Sequence, residues 1–278
     1  MKNDILFVRA AECPSDYGGS TDHVMMVNAD LETGKLGDLQ KGFQFAEGSE
    51  DPRIYYDEAT STYYNFIYMP GKDSECTNSQ CTVQVLSTKT PLNQSSWGNG
   101  HRFPWHRNGC VFQPGPSTPH YAIWGEGNVG ISSTTDFATF DVVDENFIVP
   151  LGKNFSEIKL EAGAPPVQLS DGNWMHFYAA ATPGWLTPAG GNYTAGAVVI
   201  EAPSDGSSKP KVVWRTTHHP FIPLLPYQEG LPPYPKNRAD VIFLPTVVPM
   251  SAPDTFRVWF GAADASVGTA VVTVKRTG

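Results

Sequence analysis

Apolar side chains nowhere recur at the three-and-four spacing that marks an amphipathic helix over about 11 residues. Helical architecture has no support in the pattern. No apolar run approaches the roughly 20 residues needed to span a bilayer, so no membrane partner is expected. Charged residues are sparse at 17% of the chain, against 40% hydrophobic. That balance excludes a disordered or coiled-coil chain and leaves enough apolar surface for a sizeable core. No G-x-S-x-G, P-loop or G-x-G-x-x-G is present, and no cofactor is expected. Cysteine is scarce: Cys13, Cys76, Cys81 and Cys110, with no C-x-x-C and no His pairing suited to zinc, so no metal is expected. Cys76 and Cys81 flank a polar loop that could close a small disulfide in an oxidising compartment, with free thiols as the alternative. The net charge of -9 repels phosphate backbones, which argues against nucleic acid and is compatible with a neutral sugar. Met1 to Glu12 lacks the form of a signal peptide, being charged at both ends around a short apolar stretch. Sequons at Asn93, Asn154 and Asn192 favour a secreted or extracellular location and leave a cytoplasmic one open.

What the chain does have is Gly (26), Pro (24) and aromatics (12%), spread along its length. This is the composition of an all-β protein with many turns. It also has a repeat. Each unit carries an apolar opening strand, an aromatic strand, and an alternating strand ending in Ser, Thr or Asp. The second unit opens at Asp51, with an aromatic strand to Met69 and a third strand from Thr82. The third opens at Gly109 and continues through His120–Trp124 and Val129–Ser133. The fourth opens at Ala164 and continues through Trp174–Tyr178 and Ala197–Glu201. The fifth opens at Asp240 and continues through Phe256–Phe260 and Thr269–Val274. Ile5–Val8 and His23–Val27 supply the second and third strands of a first unit. Openings at 51, 109, 164 and 240 lie 58, 55 and 76 residues apart, the last interval holding a Pro-rich loop from Pro220 to Pro235. Regular units of this kind predict one domain over 1–278, a five-bladed β-propeller. A β-sandwich would explain the strands but not the repetition.

In a propeller the ligand sits at the mouth of the central channel, so polar residues at strand ends are the candidates. Glu50-Asp51-Pro52-Arg53 opens the second unit, and Arg53 could hold a carboxylate ionised or clamp a sugar hydroxyl. Lys159 and Glu161, two apart on a strand, share a face. Asp264 follows the small residues Gly261-Ala262-Ala263, which leave room for a ligand. A solvated turn, an edge ion pair and a hairpin turn are the plainer readings of these three sites. Arg107 precedes the third unit's first strand, and Glu126 follows its aromatic strand. His218 and His219 lack metal-ligand spacing and read as structural. Most of the seven Trp read as blade packing, with sugar stacking as the alternative.

These segments together resemble glycoside hydrolase family 130, the β-mannoside phosphorylases and β-mannosidases. The match runs through Glu50–Arg53, then Lys159–Val167 (the family's Lys-x-Gly-x-Gly-Pro-Pro-Pro-Ile), and Gly261–Asp264. Asn192–Ile200 resembles the family's Tyr-x-x-Gly-Ala strand. Pro226–Gly230 with Val241–Phe243 resembles its Tyr-Glu-x-x-Gly and Val-Val-Phe-Pro stretch. The resemblance implies a five-bladed propeller and inversion at the anomeric carbon. It implies that Asp51 donates a proton through a substrate hydroxyl and that Asp264 binds the reacting sugar. It places Lys159 where phosphorylases help hold phosphate.

Two departures set the chain apart. Phosphorylases carry Leu-His-Arg where this sequence has Ile123-Trp124-Gly125, and Tyr-His-Gly where it has Tyr178-Ala179-Ala180. Phosphate needs several donors, and Lys159 beside Glu161 is a poor site for it. Glu161 could instead orient a water, since an inverting hydrolase uses two carboxyls roughly 6.5–9.5 Å apart, a spacing that an indirect proton route relaxes. The expectation is an inverting glycosidase acting on β-mannosides. Asp51 is its acid and Glu161 (or Glu126) its base, and Arg53, Arg107, Glu126, Lys159 and Asp264 hold the oligosaccharide substrate. A phosphorylase using Arg107 and Lys159, and a carbohydrate-binding propeller without catalysis, are the rivals. An oligomer is left open.

Overall fold

The computed structural model describes residues 4–11, 22–45, 49–69, 82–98, 100–103, 108–152, 157–183, 192–217, 221, 241–263 and 266–275. Among these residues the only helical element is one 3-10 turn, Gln94–Ser96. Everything else regular is strand, divided among five antiparallel sheets. The first holds β1 (Asp4–Ala11), β2 (Asp22–Ala29) and β3 (Leu36–Gln44). The second holds β4 (Glu50–Asp57), β5 (Thr62–Met69), β6 (Thr82–Thr88) and β7 (His101–Arg102). The third holds β8 (Gly109–Phe112), β9 (His120–Trp124), β11 (Val129–Thr134) and β12 (Asp141–Ile148). The fourth runs β10 (Glu126–Gly127), β13 (Lys159–Ala162), β15 (Trp174–Ala181), β16 (Tyr193–Glu201) and β17 (Lys211–Arg215), with β14 (Val167–Gln168) also on β15. The fifth holds β18 (Ile242–Pro249), β19 (Thr255–Ala262) and β20 (Ser266–Thr273).

Side chains alternate between the two faces of each strand, so a blade can bury both faces only against two neighbours. The core accordingly falls into seams between consecutive blades. Val24, Met26 and Phe45 meet Ile67 and Leu86 between the first and second. Phe66, Val85 and Phe103 meet Val111, Ala122 and Trp124 between the second and third. Ile123 and Ile131 meet Leu160, Tyr178 and Val198 between the third and fourth. Phe177 and Ala197 meet Leu244, Val258 and Phe260 between the fourth and fifth. Leu6, Val27 and Ala29 meet Trp259 of the fifth, so the fifth blade returns to the first. Arg257 fastens this closure by donating from Nε to the Leu31 carbonyl at 3.2 Å and from its Nη2 to the Glu32 carbonyl. Five sheets in a closed ring are a five-bladed β-propeller.

A cross-strand pair recurs in the last three blades. Trp124 lies opposite Gly130, Tyr178 opposite Gly196 and Phe260 opposite Gly268. A Cβ on those glycines would fall 2.5, 2.4 and 2.4 Å from the facing ring, so the aromatic lies flat only because the side chain opposite is absent.

The first strand of the fourth blade differs from the expectation. It opens at Lys159 rather than Ala164, and Gly163–Pro166 splits it into β13 and β14. Pro165 and Pro166 have no N–H to give the ladder. In the first blade β1 and β2 pair as neighbours, with β3 added beyond them.

Candidate functional site

In an up-and-down blade, the first and third strands begin on the face where the second strand ends. Asp51 and Lys159–Glu161 lie at first-strand starts, Tyr193 at a third-strand start, and Ala179–Ala181 and Ala262 at second-strand ends. Topology alone therefore gathers residues from 51 to 263 on one face.

Backbone irregularity aims several of them. Asp51 has a φ of 51°, where a non-glycine residue is strained, and it sits in a one-residue bulge between Glu50 and Arg53. Asn108 (φ 48°) and Ala263 (φ 51°) share that conformation. Gly125 (φ 119°) and Gly127 (φ 110°) flank Glu126 with backbone angles that favour glycine. They carry Glu126 out of the third blade to pair in register with Glu161 of the fourth.

Arg53 is 1% exposed and is committed inside the protein. Its Nε donates to the Gly163 carbonyl at 3.1 Å, Nη1 to the Pro52 carbonyl at 3.2 Å and Nη2 to Asn108 Oδ1 at 3.4 Å. Its guanidinium carbon lies 5.0 Å from the centre of the Phe243 ring. Arg53 thus cross-links the second, third, fourth and fifth blades at the site, and its expected part in holding a sugar stays a proposal. Burial pulls Arg53 below its ordinary value, and Asp51 is the largest influence in the other direction, ahead of Cys110 and Glu161.

Above it lies a cluster of charges. Lys159 Nζ is 3.2 Å from Glu161 Oε1 and also bonds Glu126 Oε1. The Lys159 and Glu126 side chains are 29% and 31% exposed, and Glu161 is 11%. Burial pushes the Glu161 carboxyl up to about 7; Lys159 opposes that rise, Glu126 and Asp51 add to it, and the neighbouring Tyr193 hydroxyl favours the charged form. Tyr193 is itself driven well above its ordinary value, first by burial and then by the Glu161 charge. Ala179 stands opposite Glu161 and Ala195 opposite Ala179, so small side chains line the strands beside the carboxylate.

Of the expected site residues, the structure thus gathers Asp51, Glu126, Lys159 and Glu161, with Arg53 below. Arg107 and Asp264 lie outside the described residues, as do Cys13, Cys76, Cys81, Asn154, His218, His219 and, Phe221 apart, the Pro-rich loop. Cys110 is a free, buried thiol pushed up to about 12 by burial. Tyr193 and Asn108 were not foreseen as site residues, although Tyr193 begins the strand that resembles the family's Tyr-x-x-Gly-Ala. Among the described residues no group of three or more His, Cys, Asp or Glu is arranged to hold a metal.

No protein-family model and no curated protein sequence matches the chain. Solved structures do. A glycosyl hydrolase from Bacteroides ovatus superposes with a TM-score of 0.71 at 15% identity, over 99% of this chain and 82% of that one. A structure reported for the GH130 family, whose mannoside phosphorylases include hydrolases targeting β-1,2 mannosidic linkages in Candida mannan, gives 0.72 at 15% identity, over 99% and 82%. The β-1,2-mannobiose phosphorylase from Listeria innocua gives 0.67 at 16%, over 91% and 67%. The chain has the fold of the glycoside hydrolase family 130 propellers.

Proposed function

We propose that this propeller is an inverting glycoside hydrolase of the family 130 type that cleaves β-mannosides in oligosaccharides. The observation that carries the reading is a buried carboxyl, Glu161, pushed up to about 7 by burial and near enough to Asp51 of another blade for that charge to add to the rise. General-base catalysis is most effective when the base titrates close to the working pH. Glu161 removes a proton from a water, and that oxygen attacks the anomeric carbon from the face opposite the leaving group. The glycosidic bond breaks, and the departing oxygen takes a proton that Asp51 supplies through a substrate hydroxyl. Lys159, Glu126 and Asp264 bind hydroxyls around the reacting ring.

Neighbours of the same fold include proteins named as glycosyl hydrolases and as enzymes of β-1,2-mannosides, which supports this substrate class. The second reading, phosphorolysis, draws on the phosphorylase among those neighbours. Local charge disfavours it. Lys159 is already matched by two carboxylates, and Gly125 and Ala179 stand where family phosphorylases carry Arg and His. A phosphate dianion would meet net negative charge.

A panel of manno-oligosaccharides, incubated with and without phosphate, tests the proposal. Free mannose released first as the α-anomer, independent of phosphate, is the expected result. Mannose 1-phosphate formed only with phosphate would establish the phosphorylase. Retention of configuration would overturn inversion, and binding without turnover would reduce the chain to a sugar-binding propeller.

A further inference from the structure

The turn Gly125-Glu126-Gly127 extends the third blade's hairpin into the first strand of the fourth blade. The Ala162 amide donates to the Gly125 carbonyl at 3.3 Å, and Gly127 pairs with Leu160. This crossing sets Glu126 directly across from Glu161. Lys159 lies two residues before Glu161 on the same face and bonds both carboxylates. One ammonium thus serves two carboxylates that arrive from different blades.

We propose that Glu126 is a positioning residue that acts on Glu161 through Lys159: it draws the ammonium toward the blade junction and so sets how tightly Glu161 holds its proton. The inference rests on the reading of Glu161 as the base, and assigns to Glu126 the tuning of that base rather than the chemistry itself. Among the described residues, the other groups that face Glu161 are Asp51 and Arg53 of the second blade and Tyr193 on the fourth blade's third strand. Neither Glu126→Gln nor Lys159→Met alters these three residues.

The two partners push in opposite directions, which gives the proposal its signature. In Glu126→Gln the like charge is lost and Lys159 is left to Glu161 alone, so the proton is released at lower pH. In Lys159→Met the attracting charge is lost, and the proton is held to higher pH. A nearby charge moves a carboxyl by about one pH unit or more, so the two midpoints separate by about two pH units. A merely structural ion pair would change stability without this split.

The full chain, labelled with 13C at glutamate carboxyls, is titrated by NMR from pH 4 to 10, and Glu161 is assigned by the resonance missing in Glu161→Gln. The expected result is a midpoint below wild type in Glu126→Gln and above it in Lys159→Met. An unmoved or raised midpoint in Glu126→Gln, or shifts of one sign in both variants, overturns the proposal. Should Glu126→Gln fail to fold, Glu126→Ala carries the same sign. The manno-oligosaccharide assay separates the two readings. Midpoints that split while no protein cleaves substrate leave the tuning standing and the hydrolase refuted. Cleavage by wild type with unsplit midpoints does the reverse.

Discussion

Gly163 is a position with no room for one added methyl group. A Cβ there would lie 2.2 Å from the Phe177 carbonyl oxygen, 3.0 Å from its carbon and 3.1 Å from the Leu244 carbonyl oxygen. All three atoms are backbone, Phe177 in the fourth blade and Leu244 in the fifth, so no rotamer change relieves the overlap. The strands must part by roughly 1 Å, and overpacking of this kind costs about 1–3 kcal/mol. The Gly163 carbonyl also accepts from Arg53 Nε, so displacement loosens the buried guanidinium as well. We therefore place Gly163→Ala at about 2–3 kcal/mol of destabilisation. For a chain of this size that lowers the thermal midpoint by roughly 3–5 °C. Gly127→Ala is the comparison, because nothing lies within 4 Å of its added Cβ and only its φ of 110° is strained. It costs about 1 kcal/mol. Circular dichroism melts of the three proteins decide the matter. A Gly163→Ala midpoint within 1 °C of wild type, or below that of neither other protein, refutes the packing argument.

Asp51→Asn and Glu161→Gln each lower kcat by about 10²–10⁴, the span of one general acid or base; full activity in either variant contradicts the assignment. His176 donates from Nδ1 to the Ala164 carbonyl at 3.0 Å, and burial lowers it to about 4. The unfolded chain then binds more protons than the folded one between about 6.5 and 4, so His176 makes the fold weaken as pH falls. Urea midpoints should show His176→Gln losing about 2 kcal/mol less than wild type between pH 7 and 5, and equal losses would exclude the effect. Arg215 donates from Nη2 to Glu157 Oε2 at 2.6 Å and from Nε to the Tyr178 hydroxyl at 3.0 Å, with Glu157 1% exposed. Arg215→Met removes the countercharge of that carboxylate and should cost about 3–5 kcal/mol in denaturant unfolding; a loss under about 1 kcal/mol would show that the bonds it accepts from the Leu151 amide and the Tyr178 hydroxyl suffice.

The strands easiest to read were those sandwiched between blades. Phe256–Phe260 and Trp174–Tyr178 are apolar but for Arg257 and His176, and the structure places strands there. The outer strands were hidden. β12 presents Asp141, Asp144 and Glu145 to solvent, and its few apolar contacts, Val143, Phe147 and Ile148, are too interrupted by charge to betray it. The aromatic-over-glycine pairs were legible in principle but were lost in uneven spacing, six residues from Trp124 to Gly130 and eighteen from Tyr178 to Gly196. At the site, Lys159 and Glu161 followed from strand periodicity. The burial of Arg53 was not legible, because sequence does not tell whether a charge beside a bulge turns outward or in. Glu126 meets Lys159 only through contact between blades, which no local pattern encodes.

Arg257 reaches across 226 residues to the Leu31 carbonyl. A hoop has no rim until it is joined, and the same holds for this mouth: blades two to five, however well formed, leave one flank of Trp259 wet until residues near Leu6 and Val27 arrive. Contacts of such long range are slow to form, because the intervening chain must first be gathered. Weakening the join at Arg257 therefore reaches the rim that carries Asp51 and Glu161 without touching any residue on it, since a parted ring no longer holds those two at a fixed separation.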